Sequence, residues 1–245
     1  MVAQMDVQRF FYRVHALDAA NRPLAFLGTC FPIGPGGNML TCRHVVEVDL
    51  AEGARLGIYD NELQTYRALA QPPVIYANQH ADLALLPNAL GRPKAEFLPV
   101  LNPHVLRVGE DVYSYGYFSI GGGAAAVESG YFAGKIVNFH QLEHQSAAMM
   151  TLPYAVIEGL SGSPVLTYHN GPKVVGVATG NRSTRILAAE TLDYKDGEVD
   201  FRETINRIVE FGTAMHCAAI VSFLTGLSGT GMVVSDQMVP VPNLD

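Results

Sequence analysis

The chain has 245 residues, 49% of them hydrophobic and 16% charged, which is enough for an ordinary core and gives no compositional sign of disorder. Its net charge is −7, with 16 Lys plus Arg and no basic run, which argues against a nucleic-acid surface and a peripheral membrane anchor, since both need clustered cations. No apolar run approaches the roughly 20 residues that a spanning helix requires.

The N-terminal segment carries Asp6 and Arg9 where a secretory leader would be apolar, and three cysteines cannot all pair within one chain. Together these features predict a reducing, cytoplasmic setting. Short runs rich in Val, Ile, Tyr and Phe, bounded by turn residues, predict strands at 9–14, 24–32, 38–41, 56–59, 74–76 and 83–86. A second set follows at 111–117, 131–138, 149–152, 164–167, 174–179 and 185–188. So many short strands without long helices between them predict an all-β barrel or sandwich.

The Pro-punctuated stretch 92–109 reads as a joint between two halves, about 1–100 and 105–226, with a loose tail over 227–245. Residues 201–209 mix polar and apolar side chains at helical spacing, and 217–224 read as a second helix. The acidic stretch 191–202, with Asp196-Gly197 as a turn signal, predicts a solvated loop; a loop that binds a regulatory partner is the alternative.

The chemistry centres on Gly159-Leu160-Ser161-Gly162-Ser163-Pro164. A nucleophilic serine needs a tight turn that exposes its Oγ beside backbone N–H groups aimed at one point, and flanking glycines permit the conformations this demands. Taken alone, the motif is equally a Ser/Gly surface turn. His44 follows the apolar run at 39–42, where a packed strand end would orient a general base, although seven other histidines compete for that role. Asp82 opens the apolar run Leu83-Ala84-Leu85-Leu86; it reads either as a paired carboxylate or as a strand-leading turn residue. The chain order His, Asp, Ser is that of the chymotrypsin arrangement and differs in the other triad folds.

These residues sit in a wider resemblance that covers most of the chain. Gly28-Thr29-Cys30-Phe31 followed by Leu40-Thr41-Cys42-Arg43-His44-Val45-Val46 is similar to the GTGF…LTA-x-HVV block of trypsin-like serine peptidases, nearest in pattern to the HtrA type. Asp82-Leu83-Ala84-Leu85-Leu86, Gly109-Glu110-Asp111-Val112-Tyr113, Gly134-Lys135-Ile136-Val137, Val175-Gly176-Val177-Ala178 and Phe211-Gly212-Thr213-Ala214-Met215 resemble further blocks of that family, in order.

The resemblance implies two six-stranded antiparallel β-barrels with a C-terminal helix and an active site between them. It implies His44 as general base and acid, Asp82 as its orienting carboxylate and Ser161 as nucleophile, with the N–H groups of Gly159 and Ser161 as the oxyanion hole. Thr179 falls where relatives hydrogen-bond the triad Asp, and 177–181, including Thr179, Gly180 and Asn181, would pair with an extended substrate. Ala155 matches the floor of the specificity pocket and implies a small or medium apolar P1 residue; Tyr154 beside it would shrink that pocket further.

Leu160 departs from the family where secreted trypsins place an activating Asp, and Cys30 and Cys42 stand where small residues are usual. The roughly twenty residues beyond the last predicted helix are fewer than a PDZ domain needs. Neither a metal nor a cofactor is expected. His140 and His144, in HQLEH, lack a convincing helix and a third ligand, and Gly121-Gly122-Gly123 lacks the rest of a phosphate loop. The expected partner is a protein or peptide substrate. A catalytically silent or latent peptide-binding module is the rival, which a fluorophosphonate probe distinguishes. A hairpin centred on Gly36 would set Cys30 opposite Cys42, within the span of a disulfide; in a reducing compartment two adjacent, reduced thiols are expected, with the disulfide as the alternative.

Overall fold

The computed structural model describes residues 7–227, apart from 35, 79, 88, 92–95, 121–125, 142–147, 170 and 196–197. The tail after Leu227, the 121–123 glycines and His144 therefore lie outside the described residues.

The first half builds β1 (Tyr12–Leu17), β2 (Pro23–Pro32), β3 (Met39–Thr41), a single helical turn α1 (Arg43–Val46), β4 (Arg55–Asp60), β5 (Thr65–Ala68), β6 (Val74–Ile75) and β7 (Ala84–Leu86). These strands form one curled antiparallel sheet in the order β5-β4-β1-β2-β3-β7-β6. The second half builds β8 (Asp111–Ser119), β9 (Val127–Lys135), β10 (Asn138–Gln141), β11 (Ala148–Leu152), β12 (Pro164–Tyr168), β13 (Pro172–Lys195), β14 (Glu198–His216) and the closing helix α2 (Cys217–Leu227). Its sheet runs β10-β11-β14-β13-β12-β8-β9.

The all-β double-sheet architecture is as expected, with seven strands in each sheet rather than six. Part of the difference arises at 131–138, read as one strand. After Lys135 the backbone changes partner: Ile136 N–H donates to Glu110 O and Val137 N–H to Thr151 O, each at 2.9–3.0 Å, which divides the run into β9 and β10. The expected strand at 9–14 starts only at Tyr12, because Val7–Phe10 forms a 3-10 turn.

The two halves share one continuous hydrophobic core, from Phe31, Leu40 and Leu85 in the first sheet to Val165, Val175 and Val177 in the second. The joint is stitched back onto β13, where Leu101 N–H donates to Val174 O and Val174 N–H to Pro99 O, both at 2.8 Å. Helix α2 returns to the first half and stacks Phe223 on Tyr76, with centroids 4.8 Å apart.

Two expectations in the C-terminal region are corrected. Residues 201–209 are not a helix but part of β14, and the described residues of 191–202 are not loop but paired strand, 191–195 at the end of β13 and 198–202 at the start of β14. Asn181 to Leu187 pair with Gly212 to Asn206 and then, past a one-residue bulge, Ala189 to Leu192 pair with Ile205 to Arg202. Ile186, Leu187, Ile205 and Ile208 are all exposed there. Among the described residues of that ribbon neither face is buried, so no period-two burial pattern was imposed on its sequence.

The cysteine register is corrected by one residue. Phe31 faces Leu40 and Pro32 faces Met39, so continuing the ladder sets Cys30 against Thr41. A slip of one sends the two side chains to opposite faces. Cys30 Sγ meets Met39 Sδ at 3.5 Å, while Cys42 Sγ meets Ala178 O in the second sheet; both thiols are free and buried.

His15 of β1 is fully buried between Phe26 and Tyr66, whose ring centroids lie 5.5 and 4.9 Å away. Burial first, and then the charge of Arg13, lowers its pKa to about 4. The unfolded chain takes up this proton near pH 6.5 and the folded chain only near 4, so this stability is present above pH 6.5 and is lost as pH falls through that window. The loss should approach about 3 kcal/mol. Urea midpoints of wild type and His15→Phe, compared between pH 7 and 4, should differ in slope; parallel curves would remove the effect.

Candidate active site

His44 and Asp82 meet because β3 and β7 are antiparallel neighbours. Thr41, the last residue of β3, faces Ala84, the first of β7, so the residues after one strand and before the other lie side by side. Met39, Leu40 and Thr41 are inaccessible to solvent, which ties α1 to the core. The Asp82 turn is closed by Ala81 N–H donating to Asn78 O at 2.9 Å.

His44 Nδ1 lies 2.6 Å from Asp82 Oδ2, and His44 N–H donates to Asp82 Oδ1 at 3.0 Å. A proton on Nδ1 facing the carboxylate leaves Nε2 as a lone-pair acceptor. Burial pushes the Asp82 pKa up, but the hydrogen bonds and charge of His44 outweigh it and hold the carboxyl below its ordinary value. A cavity of about 300 Å³ opens here, lined by Arg43, His44, Glu47, His80, Ala81 and Asp82. Cys42 Sγ, a His44 ring nitrogen and an Asp82 oxygen all lie within 4.8 Å of one another. A metal bound to all three would have to displace the proton that His44 and Asp82 share.

Ser161 sits on a turn held from both sheets. Gly159 and Gly162 adopt φ of +93° and +87°, which a side chain would disfavour. Leu160 N–H donates to Ile157 O at 2.9 Å and Ser163 N–H to Leu160 O at 3.0 Å. From β13, Ala178 accepts from Gly162 N–H at 2.8 Å and donates to Ser163 O at 2.9 Å. From β2, Thr29 N–H donates to Ser161 O at 2.9 Å. The Thr29 hydroxyl donates to Gly159 O at 3.0 Å and accepts from Tyr117 N–H at 3.1 Å, while Thr41 Oγ1 donates to Thr29 O at 2.7 Å. In the sequence Thr29 stands out only as part of a motif; its part in joining the two sheets depends on contacts up to 130 positions apart.

Among the described residues, neither Gly159 N–H nor Ser161 N–H donates to a protein group, so both are available at the same turn. Ser161 Oγ donates to Thr179 O at 3.3 Å, and no hydrogen bond joins it to His44 among the described residues.

The expected substrate strand is less regular than its sequence suggests. The β13–β14 register shifts between Ala178 and Gly180, which leaves Thr179 as the extra residue of a bulge. Thr179 Oγ1 therefore meets Thr213 O and Oγ1, each at 3.2 Å, rather than Asp82 as expected. Gly180 O accepts from Thr213 Oγ1 at 3.0 Å. Asn181 clamps the segment beside Ala155: its Oδ1 accepts from Val156 N–H at 2.6 Å, and its Nδ2 donates to Val156 O at 3.1 Å. Tyr154, expected to shrink the pocket beside Ala155, is anchored by two contacts. Its ring packs on Phe132 with centroids 5.9 Å apart, and its hydroxyl pairs with Ser114 Oγ at 2.8 Å. His140 lies on β10, within 3.4 Å of Thr151 Oγ1.

The model of the trypsin-like peptidase domain family matches residues 28–177, a span that holds all three of His44, Asp82 and Ser161. Among solved structures the fold is similar to the HtrA-type protease AlgW with a decapeptide, at 15% identity and TM-score 0.55, over 92% of this chain and 67% of that one. It is likewise similar to AlgW with a tripeptide, at 14% identity and TM-score 0.56, over 92% of this chain and 63% of that one. The chain thus spans about two thirds of the length of these structures. No curated protein matches it in sequence.

Proposed function

Because the chain belongs to the trypsin-like peptidase domain family, we propose that it is a serine endopeptidase that hydrolyses peptide bonds through an acyl-enzyme on Ser161. The observation that carries this reading is the His44–Asp82 pair, at 2.6 Å, in one fold with a serine turn clamped by both sheets. His44 Nε2 takes the Ser161 proton as Oγ attacks the scissile carbonyl and returns it to the leaving amine; a water then repeats the sequence to free the acid. The developing oxyanion accepts from the N–H groups of Gly159 and Ser161.

The resting contact of Ser161 has a part in this scheme. β12 pairs with β13 as far as Val177 and the serine turn takes both backbone groups of Ala178, so among the described residues the β13 edge from Thr179 onward is open to an added strand. A substrate N–H laid against Thr179 O takes the acceptor that Ser161 Oγ now uses and frees the hydroxyl for His44. Labelling by a fluorophosphonate, with the mass increment on the peptide containing Ser161, tests the assignment. No labelling in the presence or absence of peptide would refute it.

A small or medium apolar P1 residue is supported by Ala155 and by the Asn181 clamp on Val156, which ties together two segments that would flank the P1 side chain. Asn181→Ala is expected to raise kcat/KM for Leu or Phe at P1 relative to Ala by at least tenfold, within the range that one or two methylenes in a pocket command. An unchanged ratio across a P1 series would remove Asn181 from specificity.

A latent enzyme is the second reading, favoured by the pairing of Ser161 Oγ with Thr179 O instead of His44. A regulatory partner on the hairpin end at 191–202 would then be needed, and labelling only in its presence would decide for latency. The three buried free thiols support a reducing, cytoplasmic location.

A further inference from the structure

Cys42 stands at the joint between β3 and α1 with φ −79° and ψ 149°, in the N-cap place of the helical turn. Ser, Thr, Asp or Asn would cap a helix there, but the Cys42 side chain makes no capping hydrogen bond. Its buried Sγ points the other way, 3.1 Å from Ala178 O and within 4.8 Å of an Asp82 carboxylate oxygen.

A thiol has one proton to give. Ala178 O already accepts from Gly162 N–H at 2.8 Å, whereas an ionised carboxylate is the stronger acceptor and has lone pairs left after its two bonds from His44. Thr179, whose hydroxyl was the expected donor to this carboxylate, is occupied with Thr213. We propose that Cys42 is a positioning residue whose S–H donates to Asp82 and fixes the carboxylate against which His44 is oriented. The thiol is not itself a reagent: burial, then the Asp82 charge, raises its pKa well above the ordinary cysteine value.

The catalytic consequence rests on the serine-peptidase reading; the structural one does not, and the test separates them. Cys42→Ala removes the donor, Cys42→Val does so while filling the space, and Cys42→Ser restores a donor of similar size. Losing one hydrogen bond to a charged group should lower kcat roughly three- to tenfold with little change in KM, and Cys42→Ser should recover it. The proton between His44 Nδ1 and Asp82 should give a low-field NMR resonance, absent in His44→Ala. It should move in Cys42→Ala and Cys42→Val and return in Cys42→Ser. An unmoved resonance in the Ala and Val variants overturns the proposal, as does a Cys42→Ser enzyme as slow as Cys42→Ala. Wild-type protein that never turns over sinks the peptidase reading instead, and the resonance still decides the role of Cys42.

Discussion

Ser161→Ala is expected to lower kcat/KM for peptide substrates by roughly 10,000-fold or more while leaving the thermal midpoint nearly unchanged. The asymmetry follows from the contacts. Ser161 Oγ makes one 3.3 Å hydrogen bond, to Thr179 O, whereas the backbone of the turn is held independently through Ser161 O and Gly162 N–H. Removing the hydroxyl therefore costs the fold little and the chemistry its nucleophile. His44→Ala should be about as severe, and the double variant no worse than either, because the proton transfer and the attack are one event. Asp82→Asn should leave the turn folded but offer an N–H in place of an acceptor to His44 Nδ1, which favours the wrong tautomer. Steady-state assays on purified variants check this, together with circular-dichroism melts. Normal turnover by Ser161→Ala would end the assignment, and losses that multiply in the double variant would end the unit.

The parts of this molecule legible in its sequence are those governed by local pattern. The apolar runs around Leu40, Leu85 and Val165 are buried strands, and the juxtaposition of His44 with Asp82 follows once β3 and β7 are neighbours. What escaped was decided by register. One residue separates Cys30 opposite Cys42 from Cys30 opposite Thr41, and no propensity resolves that difference. The bulge at Thr179 likewise turned a hydroxyl expected on Asp82 toward Thr213. The stretch at 201–209 misled for another reason: its described side chains, 204–209, carry no burial alternation, and its polar and apolar residues fall by chance at helical spacing. Thr29, Asn181 and Cys42 owe their places to contacts between distant segments, which a single sequence does not display.

Gly162→Ala should be the most damaging single-methyl change at the site. The residue lies between Ser161 and Ser163 at φ +87°, where a side chain is strained by about 1–3 kcal/mol. An added Cβ would come within 2.0 Å of Thr29 O and 2.3 Å of Thr41 Oγ1. Thr41 could turn its hydroxyl away, at the loss of its 2.7 Å bond to Thr29 O. Thr29 O is backbone, and Thr29 N–H holds Ser161 O, so any retreat of that carbonyl drags on the nucleophile's own turn. Strain and overpacking together should destabilise the protein by about 2–6 kcal/mol. For a chain of this size that lowers the melting temperature by roughly 5–20 °C. The catalytic loss should exceed what unfolding explains, since a displacement of about 1 Å in the turn misaims both Oγ and the two oxyanion donors. Fluorophosphonate labelling measured well below the melting point reads that component separately, with a fall of at least about 100-fold expected. Thr41→Ala in the same background should not restore labelling, because the clash with the Thr29 carbonyl remains. A Gly162→Ala protein that labels at the wild-type rate would show that the two sheets do not clamp the serine turn as closely as these contacts require.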